Sequence, residues 1–231
     1  RRSSDLPEQH EVIRWIQSFN RSFPFGKLIK GETAYAHMVE NNFNNALQPE
    51  WPGFYLEFLL SEHLKQNGAE QVLAYQQNKS KDKQMLDFDL WSSKYQFYGD
   101  LKASSADTKS ILLNDQENMH AAIQKHGKIW YVIYEHDTIK DSLMGHETTK
   151  FWNKLLSKDN PLSYGAKMKG AICFKSLTVL EINKINYRNI LNTFNQGINS
   201  DGNMRKPKYM MSKSIFTDDN YVIYREKYDE K

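Results

Sequence analysis

The stretch MLDFDLWSSKYQFYGDLKASS, residues 85–105, decides the predicted fold. Apolar and acidic residues alternate in its first third, and every second side chain of a β-strand points to the same face. Asp87 and Asp89 therefore share one face of a predicted strand. The polar residues 92–94 are typical of a turn, and a second strand is predicted after them. The stretch as a whole is thus predicted to be a β-hairpin.

The second strand of this hairpin carries Asp100, Lys102 and Ser104 on one face and apolar or small residues on the other. Three acids and a lysine then project from one side of a single strand pair. A buried charge costs several kcal/mol unless something compensates it, and a divalent cation would do so. The alternative is an exposed ion pair between Asp100 and Lys102, which typically contributes about 0–1 kcal/mol.

In these residues the hairpin resembles the PD-(D/E)XK nuclease superfamily, which includes most type II restriction endonucleases. Its signature is an acid on one strand followed by acid-x-lysine on the next. Asp89 matches the first acid, and Asp100-Leu101-Lys102 matches the second element. The sequence departs from the pattern in three ways: no proline precedes Asp89, the second-strand acid is Asp rather than Glu, and Asp87 competes with Asp89 for the first position.

The resemblance implies further site residues. Many members carry an additional glutamate on the helix before the hairpin, where it completes the metal shell. Glu57 matches it, and at 100° per residue it lies in the apolar arc of the predicted helix. A rim glutamate paired with a lysine is the alternative, and Glu62 is a rival on the same helix. The implied catalytic residues are Asp89, Asp100, Lys102 and Glu57, and the implied ligands of Mg²⁺, or of Mn²⁺ as a substitute, are Asp89, Asp100, Glu57 and Asp87.

Composition sets broader limits. The chain has 231 residues, with 39% hydrophobic and 13% aromatic residues, which suits a single folded domain over residues 1–231. The net charge of +3 permits nucleic-acid binding without requiring it. Cys173 is the single cysteine, so an intrachain disulfide and a thiolate zinc cluster are excluded. The sequence has no apolar run of about 18 residues, so we expect no membrane insertion and a cytoplasmic location. The chain begins Arg1-Arg2-Ser3 without a methionine, which leaves open whether it is part of a longer one.

The periodicity of the remaining chain predicts an α/β fold with a restriction-endonuclease-like core, a central mixed β-sheet flanked by helices, and an N-terminal helical segment. Residues 1–48 form that segment, with helices predicted over 6–23 and 33–47. Residues 54–135 form the catalytic core, with helices over 54–66 and 114–125, a strand beginning near Val72, and a buried central strand over 128–134. A helix between two strands implies a crossover connection, so this central strand should be parallel to its partner in the hairpin.

Residues 160–231 are predicted to contain one or two strands within 171–180, a helix over 185–197 and a final strand over 221–224. Basic residues also cluster here, beside glycines and a tyrosine, in a pattern that suits phosphate contacts. A solvated charged surface is the alternative. The residues that we assign to nucleic-acid binding are Ser104 and Ser105, by the resemblance, and Lys167, Lys169, Arg205, Lys206 and Lys208.

These features predict a Mg²⁺-dependent endonuclease, most like a type II restriction endonuclease that cuts double-stranded DNA as a homodimer. The first alternative is a nuclease toxin domain of a bacterial competition system. Such a domain would cleave DNA or tRNA in the cytoplasm of a target cell and would be neutralised by an immunity protein. The second alternative is a catalytically inactive domain that binds nucleic acid.

Overall fold

The computed structural model describes residues 7–23, 25–76, 88–157, 167–198 and 202–228, with side chains described from residue 11 onwards. The helices in these ranges are α1 (Pro7–Ser22), α2 (Gly31–Glu40), α3 (Trp51–Gln66), α4 (Gln116–His126), α5 (Glu147–Leu155) and the single turn α6 (Tyr187–Ile190). The strands are β1 (Leu28–Lys30), β2 (Ala74–Tyr75), β3 (Leu90–Ser92), β4 (Phe97–Ser105), β5 (Ser110–Asp115), β6 (Lys128–Lys140), β7 (Lys169–Asn183), β8 (Leu191–Phe194), β9 (Lys208–Ser212) and β10 (Val222–Lys227).

The central sheet is mixed. Its strand order is β1-β7-β6-β4-β3-β2, and β10 also pairs with β7. Strands β4 and β6 are parallel, while their outer neighbours pair in the antiparallel sense. Helix α4 makes the crossover between the parallel pair and ends at Gly127, whose φ of +84° is the left-handed conformation that glycine adopts without strain. The predicted parallel crossover is therefore confirmed.

Both faces of the central sheet are buried. Along β6, Trp130, Val132 and Tyr134 enter one core, and the alternating residues Ile129, Tyr131 and Ile133 enter the other. Helices α1, α2 and α3 cover the first face. The second is covered by α4 and by a smaller antiparallel sheet of order β5-β9-β8. Strand β6 is a near-continuous apolar run because a strand buried on both sides has no solvent face to fill with polar residues.

Several predicted elements differ from the structure. The predicted helix 33–47 ends at Glu40, because Asn41 caps it and Asn42 takes a φ of +54°. The first hairpin strand is limited to Leu90–Ser92 within the described residues, and Asp87 lies outside them. Residues 171–180 belong to the one long strand β7, and the predicted helix 114–125 begins two residues later at Gln116.

The predicted helix over 185–197 is wrong. Asn183 and Asn186 exchange side-chain-to-backbone hydrogen bonds that close a tight turn, with Asn186 Oδ1 2.9 Å from the Asn183 nitrogen. Only the single turn α6 follows, and then the chain extends as β8, which pairs with β9. Strands β1, β5, β8 and β9 were not predicted. No helix in the described part of the chain is long and apolar enough to cross a membrane.

Candidate active site

The candidate site lies where β3 and β4 stop pairing. The register joins Leu90 to Gly99, and β3 pairs with no residue of β4 beyond that point. Instead, the carboxylate of Asp89, just before β3, accepts a hydrogen bond from the backbone N–H of Leu101 at 3.0 Å. The side chain of Asp89 thus replaces a strand partner, which holds this carboxylate against β4 beside Asp100.

All four predicted catalytic residues line one cavity of about 520 Å³. Strand β4 contributes Asp100 and Lys102, the segment before β3 contributes Asp89, and helix α3 contributes Glu57. Glu57 is 9% exposed and Asp100 is 1% exposed. Glu62, the rival glutamate, lies on the surface, where its carboxylate is 3.4 Å from Lys65 Nζ. The structure therefore brings Glu57, and not Glu62, to the acidic hairpin.

Specific hydrogen bonds hold two of the carboxylates in place. Lys102 Nζ lies 2.5 Å from Asp100 Oδ2, and Asn114 Nδ2 donates to Asp100 Oδ1 at 3.1 Å. Asn114 itself accepts a hydrogen bond from the hydroxyl of Tyr131 at 2.6 Å. On α3, Glu57 accepts a hydrogen bond from the hydroxyl of Tyr75 at 2.5 Å. These contacts fix the orientation of acids that would otherwise repel one another.

The electrostatics of the cavity favour added positive charge. Burial, together with the nearby charge of Asp100, raises the pKa of Glu57 to about 7 against the opposing hydrogen bond from Tyr75. The Asp89 carboxylate is closely surrounded by protein atoms, although the whole residue is only half-buried. Its burial raises the pKa well above the usual range, and repulsion from Asp100 and Glu57 raises it further. A cation would relieve both effects.

Sequence reasoning missed three residues of this site. Asn114 was assigned to the start of a helix, whereas it lies within β5, which ends one residue later at Asp115. Tyr75 was assigned only to a strand. Glu50, before α3, lines the cavity through a loop whose position depends on tertiary packing, and no sequence pattern marks it.

Only two of the basic residues predicted to bind nucleic acid line the cavity. Lys169 and Lys208 line the same cavity as the acids. Burial lowers the pKa of Lys169, and the charge of Glu50 opposes that change. Lys167 is exposed and does not line the cavity, and neither do Arg205 and Lys206. Lys206 Nζ instead lies 2.9 Å from a carboxylate oxygen of Glu117 on α4.

The two serines assigned to nucleic-acid binding after Lys102 lie outside the cavity lining. Ser104 is 9% exposed, and its Oγ lies 3.3 Å from the Thr108 hydroxyl. The carbonyl of Ser105 accepts a hydrogen bond from Lys213 Nζ at 2.6 Å. Neither residue lines the cavity. Their hydrogen bonds fix the turn after β4.

A magnesium ion is compatible with the donor chemistry of the cavity. Among the described residues, no group of three or more His, Cys, Asp or Glu side chains is arranged to enclose a metal ion. Mg²⁺, however, keeps several of its waters and is usually held by one or two carboxylates plus substrate phosphates. Asp89 and Asp100 supply two carboxylates on adjacent chain segments that line the same cavity.

Comparisons of the chain with protein-family models, with curated proteins and with solved structures found no match. A function for this cavity must therefore be inferred from its own residues and geometry.

Proposed function

We propose that the chain is a Mg²⁺-dependent endonuclease that hydrolyses phosphodiester bonds in nucleic acid. One observation carries this proposal: Asp89, Asp100 and Lys102 meet Glu57 in one cavity, although the four come from three separate parts of the fold. An exposed ion pair on a solvated strand would not lie beside two further buried carboxylates. The parallel crossover from β4 through α4 to β6 supports a restriction-endonuclease-like core.

Each side chain has a role in this chemistry. Asp89 and Asp100 would hold Mg²⁺ or Mn²⁺, which when bound neutralises phosphate charge and lowers the pKa of a coordinated water. Lys102 supplies positive charge that stabilises the negative charge developing on the phosphate and orients the attacking water. Glu57 is the third carboxylate of the shell. Asn114 positions Asp100 through the hydrogen bond to its Oδ1.

The substrate proposed first is double-stranded DNA, cut by a homodimer of the type II restriction endonuclease kind, because the hairpin residues match that group best. A toxin nuclease that cleaves DNA or tRNA, with an immunity protein as partner, uses the same core chemistry. A binding domain without catalysis is disfavoured, because Asp89, Asp100 and Lys102 are all present and share the cavity.

Substitution of Lys102 tests the proposal. We expect Lys102→Ala to lower the cleavage rate by on the order of 100-fold or more, because one preorganised charge at a reacting phosphate is typically worth that much. The purified protein is incubated with plasmid DNA and with total tRNA, in Mg²⁺ and in EDTA. The matched control is Lys128→Ala on the adjacent strand β6, which removes a similarly enclosed lysine, 3.8 Å from Glu181, that does not line the cavity.

The products separate the candidate functions. Discrete DNA fragments that require both Mg²⁺ and Lys102 would support a restriction endonuclease, whereas smeared DNA or nicked tRNA with the same requirements would support a toxin nuclease. Equal cleavage by wild type and Lys102→Ala would refute the assigned site. Binding of either nucleic acid without any cleavage would support the inactive binding domain.

A further inference from the structure

The small sheet β5-β9-β8 has one buried face and one open face. Its inward residues, Ile111, Leu191, Tyr209 and Met211, belong to the second core. The pleat therefore turns the intervening residues outward. Leu112 is 41% exposed and Phe194 is 40% exposed, and the outward row also contains Met210, Asn192 and Lys208. A sheet face that carries large apolar side chains and a lysine in solvent suggests a binding surface.

This open face runs into the acidic cavity. Phe194 of β8 is the direct partner of Lys208 of β9, and side chains at such positions lie roughly 5 Å apart. Lys208 is also part of the cavity wall. The exposed ring of Phe194 therefore lies directly beside the wall of the proposed catalytic cavity.

Positive charge continues along the same hairpin. Arg205 and Lys206 precede β9, and the Arg205 nitrogen donates a hydrogen bond to the carbonyl of Gly197 at 3.2 Å, which joins the two arms beyond β8. Lys206 pairs with Glu117 and Lys208 lies 3.9 Å from Asp115. Both side chains of the Lys206–Glu117 pair are about 60% exposed. Because exposed ion pairs contribute little free energy, a phosphate can replace the Glu117 carboxylate as the partner of Lys206.

We propose that this face binds nucleotides next to the scissile phosphate as an unpaired strand, with Phe194 stacked on a base and Lys208 on a neighbouring phosphate. This inference rests on the proposed nuclease function and revises its substrate: it favours the alternative in which tRNA or another unpaired strand is cut over the double-stranded DNA proposed first. A base within an intact duplex is already stacked on both sides and cannot cover a phenyl ring. Aromatic rings beside a basic groove are the common means of holding single strands, and they tolerate any sequence because every base has a π-face. The substrate class is therefore single-stranded or locally unpaired nucleic acid, such as a tRNA loop or end.

Phe194 can be tested apart from catalysis. Binding of a fluorescein-labelled single-stranded oligonucleotide, as DNA and as RNA, and of the same sequence as a blunt duplex is followed by fluorescence anisotropy in EDTA. We expect wild type to prefer the single strands, Phe194→Ala to weaken their binding about tenfold, and Phe194→Trp to retain it. The matched control is Ile185→Ala, which removes an 87% exposed apolar side chain outside this sheet.

Two outcomes would overturn the inference: equal single-strand affinity of wild type, Phe194→Ala and Phe194→Trp, or a preference for the blunt duplex that does not depend on Phe194. In either case the open face would serve another partner, such as a protein. A parallel cleavage assay with Lys102→Ala keeps the two proposals distinguishable. If that variant is inactive while Phe194→Ala binds normally, only the surface assignment fails. If Lys102→Ala cuts as well as wild type, the nuclease site fails whatever Phe194 does.

Discussion

Asp89 has two roles that oppose each other. Its carboxylate accepts a hydrogen bond from the backbone N–H of Leu101 and so takes the place of a strand partner where β3 stops pairing with β4. Its carboxylate also lies near Asp100 and Glu57 at a position where burial raises its pKa. An amide in its place could still accept the backbone hydrogen bond but would carry no charge. The proposed catalytic function and the stability of the fold are therefore in conflict at this position.

We expect Asp89→Asn to raise the free energy of unfolding at pH 8 in EDTA, because the substitution removes a carboxylate whose ionised form is disfavoured in the folded chain. The sign follows from the raised pKa. An acid whose pKa is higher in the folded state destabilises the fold at pH values where it is ionised. Urea denaturation measures the change, and cleavage in Mg²⁺ should be lost in the same variant.

The control for Asp89 is Asp137→Asn, which removes a 59% exposed carboxylate 3.4 Å from Lys175 on the sheet surface. We expect that variant to be no more stable than wild type. If Asp89→Asn is less stable than wild type in EDTA, then the carboxylates of the cavity do not repel one another, and the argument for a cation at this position is lost.

At the scale of elements, helix α2 depends on close contact with α5. A Cβ atom on Gly31, the first residue of α2, would lie 2.4 Å from Thr148 Cγ2 and 2.8 Å from Thr148 Oγ1. Thr148 is fully buried, and its hydroxyl is 3.1 Å from Glu32. The side chain of Thr148 therefore cannot move away without losing its own contacts.

We expect Gly31→Ala to lower the free energy of unfolding by about 1–3 kcal/mol, which is the usual effect of overpacking. The control is Gly53→Ala in α3, where a Cβ meets no atom within 4 Å and alanine favours the helix by up to about 1 kcal/mol. Chemical denaturation of both variants should show opposite changes. A similar loss in the two would mean that backbone freedom, and not the α2–α5 contact, determines the result.

Local sequence patterns predicted some of these elements correctly and missed others. The apolar run of β6 and the left-handed Gly127 after α4 are local signals, so the parallel crossover was predicted correctly. Local spacing also placed Glu57 on the apolar face of its helix, and Glu57 is among the buried residues of α3. Strand β8 gave a helical pattern instead. Its extended conformation depends on pairing with Met211 and its neighbours, about twenty residues further along the chain, which no local signal records.

At the scale of the whole molecule, β6 passes between the two cores and carries a histidine into the interior. His136 is fully buried, and its Nδ1 lies 3.0 Å from the hydroxyl of Thr138. Burial, with smaller effects from the positive charges of Lys169 and Lys213, lowers the pKa of His136 to about 4. The folded chain therefore keeps the buried imidazole of His136 neutral. Protonation of this imidazole in the folded state would lower the free energy of unfolding.

We expect the contribution of His136 to the free energy of unfolding to be fully present above pH 6.5 and to fall by roughly 3 kcal/mol as the pH drops to about 4, because only the unfolded chain takes up a proton on His136 in that range. Glu57 and Asp89, whose pKa values are raised, act in the opposite sense, so the contribution of His136 is the difference in slope between wild type and a His136 variant. His136→Gln should remove most of this slope, although its stability at pH 7 should fall because a buried ring is lost. Urea denaturation at several pH values measures the slope. The control, His146→Asn, removes an exposed imidazole and should keep the wild-type slope. If His136→Gln also keeps it, acid sensitivity arises from other groups, and β6 is not where protonation acts on the fold.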